Sequence, residues 1–254
     1  MKIVALSDTH GFDFTDRVPE CDILLLAGDI SPVNLDHSFY SQQQWFINTF
    51  IKQLKQLTSI AKNIVFIGGN HDTYLSEVNI SKNNDIIHNL LPDNVYYLCD
   101  SEVTINKIKI YGSPWCNLPS WGRQGPPVWN FAKNEKDLDI VYDNIPNDID
   151  ILLTHGPCFG FCDVILDENV IDINRINYNS NPERLGSKSL RNRIIKGVNA
   201  KYVISGHIHS ANHKYEVYKP DLAHDGIKFA CASILNENYK FSEDIKPLII
   251  QWEN

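Results

Sequence analysis

Five short apolar runs punctuate this chain, and each one stops at a polar motif. Ile3-Val4-Ala5-Leu6 leads to Asp8-Thr9-His10, Ile23-Leu24-Leu25-Leu26-Ala27 to Gly28-Asp29, and Ile64-Val65-Phe66-Ile67 to Gly69-Asn70-His71-Asp72. Ile151-Leu152-Leu153 leads to Thr154-His155-Gly156, and Tyr202-Val203-Ile204 to Gly206-His207-Ile208-His209. Unbroken runs of this length, rich in β-branched residues, predict strands buried on both faces and hence a mixed α/β fold. Open α/β sheets bind ligands outside the carboxyl ends of their strands, so five motifs at five strand ends point to one shared site. A lone Asp-x-His triplet arises readily by chance in a chain this long; the common placement carries the argument.

The motifs supply two carboxylates (Asp8, Asp29), one amide (Asn70), four imidazoles (His10, His155, His207, His209) and a further histidine, His71. These hard-to-borderline donors suit a pair of divalent metals, and the chain reads as a two-metal hydrolase. In extended backbone, side chains two residues apart point the same way, about 6.5–7 Å from each other. Asp8 with His10, and His207 with His209, are therefore expected to converge as pairs.

Ligands scattered from Asp8 to His209 must meet in one place, so a single domain over residues 1–254 is expected. A hydrophobic content of 43 % is ample for its core. No apolar stretch reaches the about eighteen residues of a membrane span, and the amino terminus runs straight into a strand rather than a signal peptide. A cytoplasmic protein is expected. The cysteines (Cys21, Cys99, Cys116, Cys158, Cys162 and Cys231) form no CxxC pair and are expected as reduced thiols. Cys158 and Cys162 straddle Phe159-Gly160-Phe161 just after His155, and are read as loop or core thiols rather than a third metal or redox pair.

Phe46, Ile47, Phe50, Ile51, Leu54, Leu57 and Ile60 recur at three- and four-residue steps, predicting an amphipathic helix between Gln44 and Lys62. A second helix is predicted over Ser187 to Gly197, ending on its glycine. Further strands are expected between Val95 and Tyr111 and from Lys214 to Trp252. His37, His88, His213 and His224 lie outside the motifs and are read as surface or packing residues.

In order, D-x-H, G-D, G-N-H-D, T-H-G and G-H-x-H resemble the motif set of the calcineurin-like metallophosphoesterase superfamily, from Lys2 to His209. Tyr111-Gly112-Ser113-Pro114-Trp115-Cys116, the stretch from Asp150 to Pro157 and the final histidine motif are similar to a narrower branch. That branch is the small class III phosphodiesterases that include the brain metallophosphoesterase-domain proteins. The resemblance implies a four-layer αββα sandwich, two packed sheets with helices outside. It implies that Asp8, His10, Asp29 and His209 hold one metal ion, that Asp29, Asn70, His155 and His207 hold the other with Asp29 bridging, and that His71 is the general acid. Two ions per chain are expected; manganese comes first, and iron, zinc, cobalt and nickel also suit such donors.

Histidines bind as neutral imidazoles and Asn70 through its carbonyl, so two divalent ions against Asp8 and Asp29 leave the site about doubly positive. An anionic phosphoester is attracted despite a formal net charge of -8. The expected reaction is attack on phosphorus by a hydroxide held between the ions, because coordination can lower the pKa of water to about 7. His71 then protonates the leaving oxygen. Asp72 has two readings, orienting His71 or capping the following helix.

The expected substrate is a small phosphodiester such as a cyclic nucleotide. A phosphomonoester is the alternative, and a non-catalytic scaffold for protein binding is the alternative outside enzymes. Gly28-Asp29-Ile30-Ser31-Pro32 lacks the Asp-Arg-Gly element of protein Ser/Thr phosphatases. An acidic chain without a basic run lacks the footprint of a binder of long nucleic acid. The segment from Ser113 to Phe131, with Trp115, Asn117, Trp121, Arg123 and Trp129, reads either as a substrate-recognition loop or as a tryptophan-anchored cover over the core. After the last histidine the branch commonly carries Glu-Gly-Tyr-Gly. This chain has Ser210-Ala211-Asn212-His213, a departure that bears on substrate and product release. The oligomeric state is left open.

Overall fold

Alternate side chains of each apolar run point to opposite faces of a strand, and here both rows are buried, in different cores. The computed structural model describes residues 1–36, 38–118, 129–164, 184–211, 215–219, 226–241 and 244–253. Its strands are β1 (Lys2–Leu6), β2 (Cys21–Leu26), β3 (Ala61–Phe66), β4 (Val95–Tyr97), β5 (Ser101–Ile105), β6 (Ile108–Ser113), β7 (Cys116–Asn117), β8 (Ala132–Lys133), β9 (Ile151–Thr154), β10 (Tyr202–Ser205), β11 (Glu216–Tyr218), β12 (Ile227–Cys231) and β13 (Leu248–Gln251). The α-helices are α1 (Phe39–Trp45), α2 (Ile51–Leu57), α3 (Thr73–Ile80), α4 (Asp85–His88), α5 (Glu135–Tyr142) and α6 (Lys188–Ile195).

One sheet has the order β13-β1-β2-β3-β4 and the other β11-β12-β10-β9-β6-β5, with β7 and β8 as a separate parallel pair. Val4, Leu6, Leu24, Leu26, Ile64 and Phe66 pack against Phe46, Phe50, Leu54, Tyr74 and Val78 of the first helical layer. The intervening row, Ile3, Ala5, Ile23, Leu25 and Val65, meets Ile110, Ile151, Leu153, Ile204 and Ala230 of the second sheet. The far face of that sheet, with Leu152, Val203 and Phe229, is covered by Leu138 and Tyr142 of α5 and Leu190 and Ile194 of α6. Three cores between four layers make the αββα sandwich. Each fully buried leucine or isoleucine in them contributes about 1.5–3 kcal/mol.

The helix expected between Gln44 and Lys62 is longer at its start and shorter at its end. It runs as α1, a π-helical turn at Phe46–Phe50, and α2. It stops at Leu57 because the hydroxyls of Thr58 and Ser59 donate to the carbonyls of Lys55 and Gln56, and Ala61 and Lys62 already belong to β3. α6 agrees with its prediction: the Ser187 hydroxyl caps it by accepting from Leu190 N, and Gly197 follows its end at a φ of 139°.

Candidate metal centre

Parallel pairing levels the strand ends. Leu6 is in register with Leu26 and Leu26 with Phe66, while Thr154 is level with Ser113 and Leu153 with Ile204. The motif loops therefore leave both sheets at one end. They do not continue as extended backbone: Asp8, His10, Asp29 and His207 have φ of 56°, 46°, 52° and 71°. This corrects the expectation that Asp8 with His10, and His207 with His209, converge through strand alternation. They converge because left-handed residues, costly for non-glycine side chains, fold the loops back over the sheet ends. Close approach completes the fit. A Cβ on Gly206 would collide with Ser7 Oγ and lie 2.6 Å from Asp8 Oδ2, and one on Gly69 would collide with Asp29 Oδ1.

All seven expected ligands meet at this end. His10 Nε2 and His209 Nε2 are 3.3 Å apart, and His209 Nε2 is 3.6 Å from Asp8 Oδ1. Asp29 Oδ2 lies 3.4 Å from His155 Nε2 and 3.9 Å from His10 Nε2, between the two halves of the cluster. Asn70 Oδ1 is 2.9 Å from His155 Nε2 and 2.8 Å from His207 Nδ1. Ligand atoms of Asp8, His10 and His209 lie within 4.8 Å of one another, as do those of Asp8, Asp29 and His155, so both groups are close enough to hold an ion. Carbonyl contacts orient two of the rings. His155 Nδ1 is 2.9 Å from Ala27 O and His209 Nδ1 is 2.9 Å from Asn236 O, which leaves Nε2 of each facing the cluster.

Burial alone would raise both acids, but the imidazoles beside them hold Asp29 and Asp8 well below the usual carboxylate range. Burial lowers His10 to about 4 and His207 to about 3. For His155 and His209 burial acts in the same direction, yet Asp29 and Asp8 respectively outweigh it and raise each to about 9. Imidazole and carboxylate thus favour each other's charged forms, and a divalent cation would take over that role.

The supporting contacts differ from the capping reading of Asp72. It occupies the cap position of α3 without a capping bond, and its carboxylate accepts instead from Ser31 N (2.8 Å), Gly69 N (2.8 Å) and Ile30 N (3.3 Å). It staples the Asp29 loop to the Asn70 loop. His71 donates its backbone N–H to Asp29 Oδ1 (2.8 Å), and its side chain is 22 % exposed, 3.9 Å from Asp29 Oδ2. Three contributors carry no motif that sequence reasoning could find. Gln42 spans His71 O and Tyr74 N, Ser233 Oγ donates to Asp8 Oδ2 at 2.6 Å, and Asn236 supplies its carbonyl to His209. Gln42 lies before the predicted helix start, and Ser233 and Asn236 follow an ordinary strand.

Asn117 lies on β7, outside the described contacts of the cluster, whereas Trp129 reaches His207, ring centroids 5.7 Å apart. Trp115 gives its Nε1–H to Asp100, an anchoring role. Trp121, Arg123, His37, Asn212, His213 and His224 lie outside the described residues. Cys158 and Cys162 are buried in the third core, where burial raises both thiols, as expected of core cysteines. No helix among the described residues is long and apolar enough to cross a membrane.

Four layers with an Asp/His cluster at the shared end of two sheets define a metallophosphoesterase architecture. The chain belongs to the calcineurin-like phosphoesterase family, whose sequence profile matches residues 1–211. It is 29 % identical over 234 residues to the UPF0046 protein T07D4.2 of Caenorhabditis elegans, covering 82 % of this chain and 51 % of that protein. It is 27 % identical over 258 residues to metallophosphoesterase domain-containing protein 1 of Homo sapiens, covering 94 % of this chain and 68 % of that protein. The chain thus spans about half the length of the worm relative and about two thirds of the human one. A solved structure superposes with a TM-score of 0.57 at 13 % identity, over 90 % of this chain and 89 % of that one, a likeness of fold.

Proposed function

We propose that this protein is a phosphodiesterase that uses two divalent metal ions, manganese first, to hydrolyse a small phosphodiester such as a cyclic nucleotide. The observation that carries the reading is the convergence of seven donors from five loops with only two carboxylates among them. Asp8, His10, His209 and Asp29 would hold one ion, and Asp29, Asn70, His155 and His207 the other; the placement of Asp29 Oδ2 between His155 and His10 supports its sharing. Bound there, the ions supply Lewis-acid charge and acidify water near neutral pH.

The protein's own groups do the rest. Neutral imidazoles and the Asn70 carbonyl add no negative charge, so the loaded site attracts an anionic ester. Asn70 faces His155 and His207 through Oδ1, which leaves its Nδ2 to donate to a phosphate oxygen. His71 stands on the partly exposed side, fixed at its N–H by Asp29 and at its carbonyl by Gln42, and would deliver the proton to the leaving oxygen.

The test is hydrolysis by manganese-reconstituted protein of bis-p-nitrophenyl phosphate, p-nitrophenyl phosphate and 2′,3′- and 3′,5′-cyclic nucleotides. Diester hydrolysis that stops on chelation supports the proposal. Preference for the monoester would reverse the substrate class, and inactivity across the panel would sink the enzyme reading.

A further inference from the structure

Exposure marks the open side of the centre. Asp8, His10, Asp29, Asn70 and His155 are all 3 % exposed or less, whereas His71 and His207 are partly exposed. Aromatic rings flank the two halves of the cluster. Tyr239, 38 % exposed, packs edge-on against His10 (centroids 4.9 Å apart) and His209 (5.1 Å), while Trp129 meets His207 from the other half.

Tyr239 is held there at a conformational cost. Its φ is 55°, unusual for a bulky side chain. The turn that imposes it is fixed from several sides: Tyr239 N donates to Asn236 O (2.8 Å), Asn236 N to Lys240 O (2.9 Å), and Asn238 N and Lys240 N both to Asn236 Oδ1. The same turn is tied to the centre, where Asn236 O meets His209 Nδ1 and Glu237 Oε1 accepts from Ser210 N. Core burial does not account for an exposed ring kept in a strained backbone. A persistent strain of this kind points to a task at the site. An aromatic ring with an exposed surface, beside the ligands, is suited to stacking a flat group.

We infer that Tyr239 is a specificity-determining residue, one wall of a subsite for a planar unsaturated group carried by the phosphoester whose anionic end sits on the Asp/His cluster. The inference rests on the proposed phosphoesterase reading for the anionic end. It adds a residue from beyond the 1–211 segment matched by the family.

The test is calorimetric binding of two phosphonates that cannot be hydrolysed, phenylphosphonate and methylphosphonate, to the manganese-loaded full chain. Wild type is expected to bind phenylphosphonate at least about 5-fold more tightly, in keeping with the loss seen when a stacking ring is removed. Tyr239→Ala should reduce that preference to about twofold or less, with methylphosphonate affinity and metal content unchanged. Tyr239→Asn, a ringless residue that tolerates positive φ, should do the same, and Tyr239→Phe should keep the preference. Absence of preference or of binding in wild type, equal weakening of both phosphonates, or loss of metal from both ringless variants would overturn the subsite. Hydrolysis of bis-p-nitrophenyl phosphate separates the two readings. Inactive protein that still prefers the phenyl probe would retain the subsite and reject the enzyme, and active protein without the preference would do the reverse.

Discussion

Replacing Asp72 with alanine would leave the Ile30, Ser31 and Gly69 amides without their buried acceptor. Asp72→Ala is expected to lower stability by at least about 2 kcal/mol and to reduce metal content as the Asp29 and Asn70 loops part. Denaturant unfolding with metal analysis checks this; unchanged values would show that the loops are held by other contacts. For His71 the expected signature is chemical. His71→Ala should retain both ions yet lose about 10²–10⁴-fold in rate on a diester with a poor leaving group, with a smaller loss when p-nitrophenolate leaves, since that oxygen departs without a proton. Equal losses on both would recast His71 as a phosphate-binding group. The residues that gather at the centre were legible because chemically distinctive side chains stand at strand ends. Gln42, Ser233, Asn236 and Tyr239 were not, since each acts through a fold-made contact between segments far apart in sequence, and a serine or tyrosine after a strand looks ordinary.

At the scale of elements, the loops work because glycine lets backbone and ligand share space. Gly206→Ala places a methyl group against Ser7 and Asp8, so either the β10 loop or the Asp8 carboxylate must move. Loss of metal with an unchanged far-ultraviolet circular dichroism spectrum is the expected result. Full metal content in this variant would show that the loop relaxes freely. The strand runs were legible because burial on both faces leaves continuous apolar sequence. The π turn was not, because one extra residue per turn barely disturbs a pattern of three- and four-residue steps. The left-handed residues of the motif loops were hidden for a different reason: aspartate and histidine carry no local signal as strong as glycine for positive φ.

Across the whole molecule, the centre joins two sheets that pack together over an apolar core. Asp8, His10, Asp29 and Asn70 follow strands of one sheet, and His155, His207 and His209 strands of the other. Metal that binds only the folded chain should therefore stabilise it, by about 2.7 kcal/mol when free metal is 100-fold above its Kd. Manganese is expected to raise the thermal midpoint of wild type and to leave Asp29→Ala nearly unmoved. A similar shift in both would place the bound metal elsewhere. The layering could be anticipated from the resemblance, but β13 lying antiparallel beside β1 could not, because strand order within a sheet leaves no mark on composition.

That pairing has a consequence for how the protein is made. β1 is synthesised before β13, and the edge of β1 that pairs Lys2 with Gln251 stays bare until β13 has been made. Ser233, the hydroxyl donor to Asp8, also arrives late. The nascent chain therefore carries the Asp8 motif long before it holds Ser233, and the Asp8 carboxylate gains that hydroxyl donor only once most of the sequence has been made.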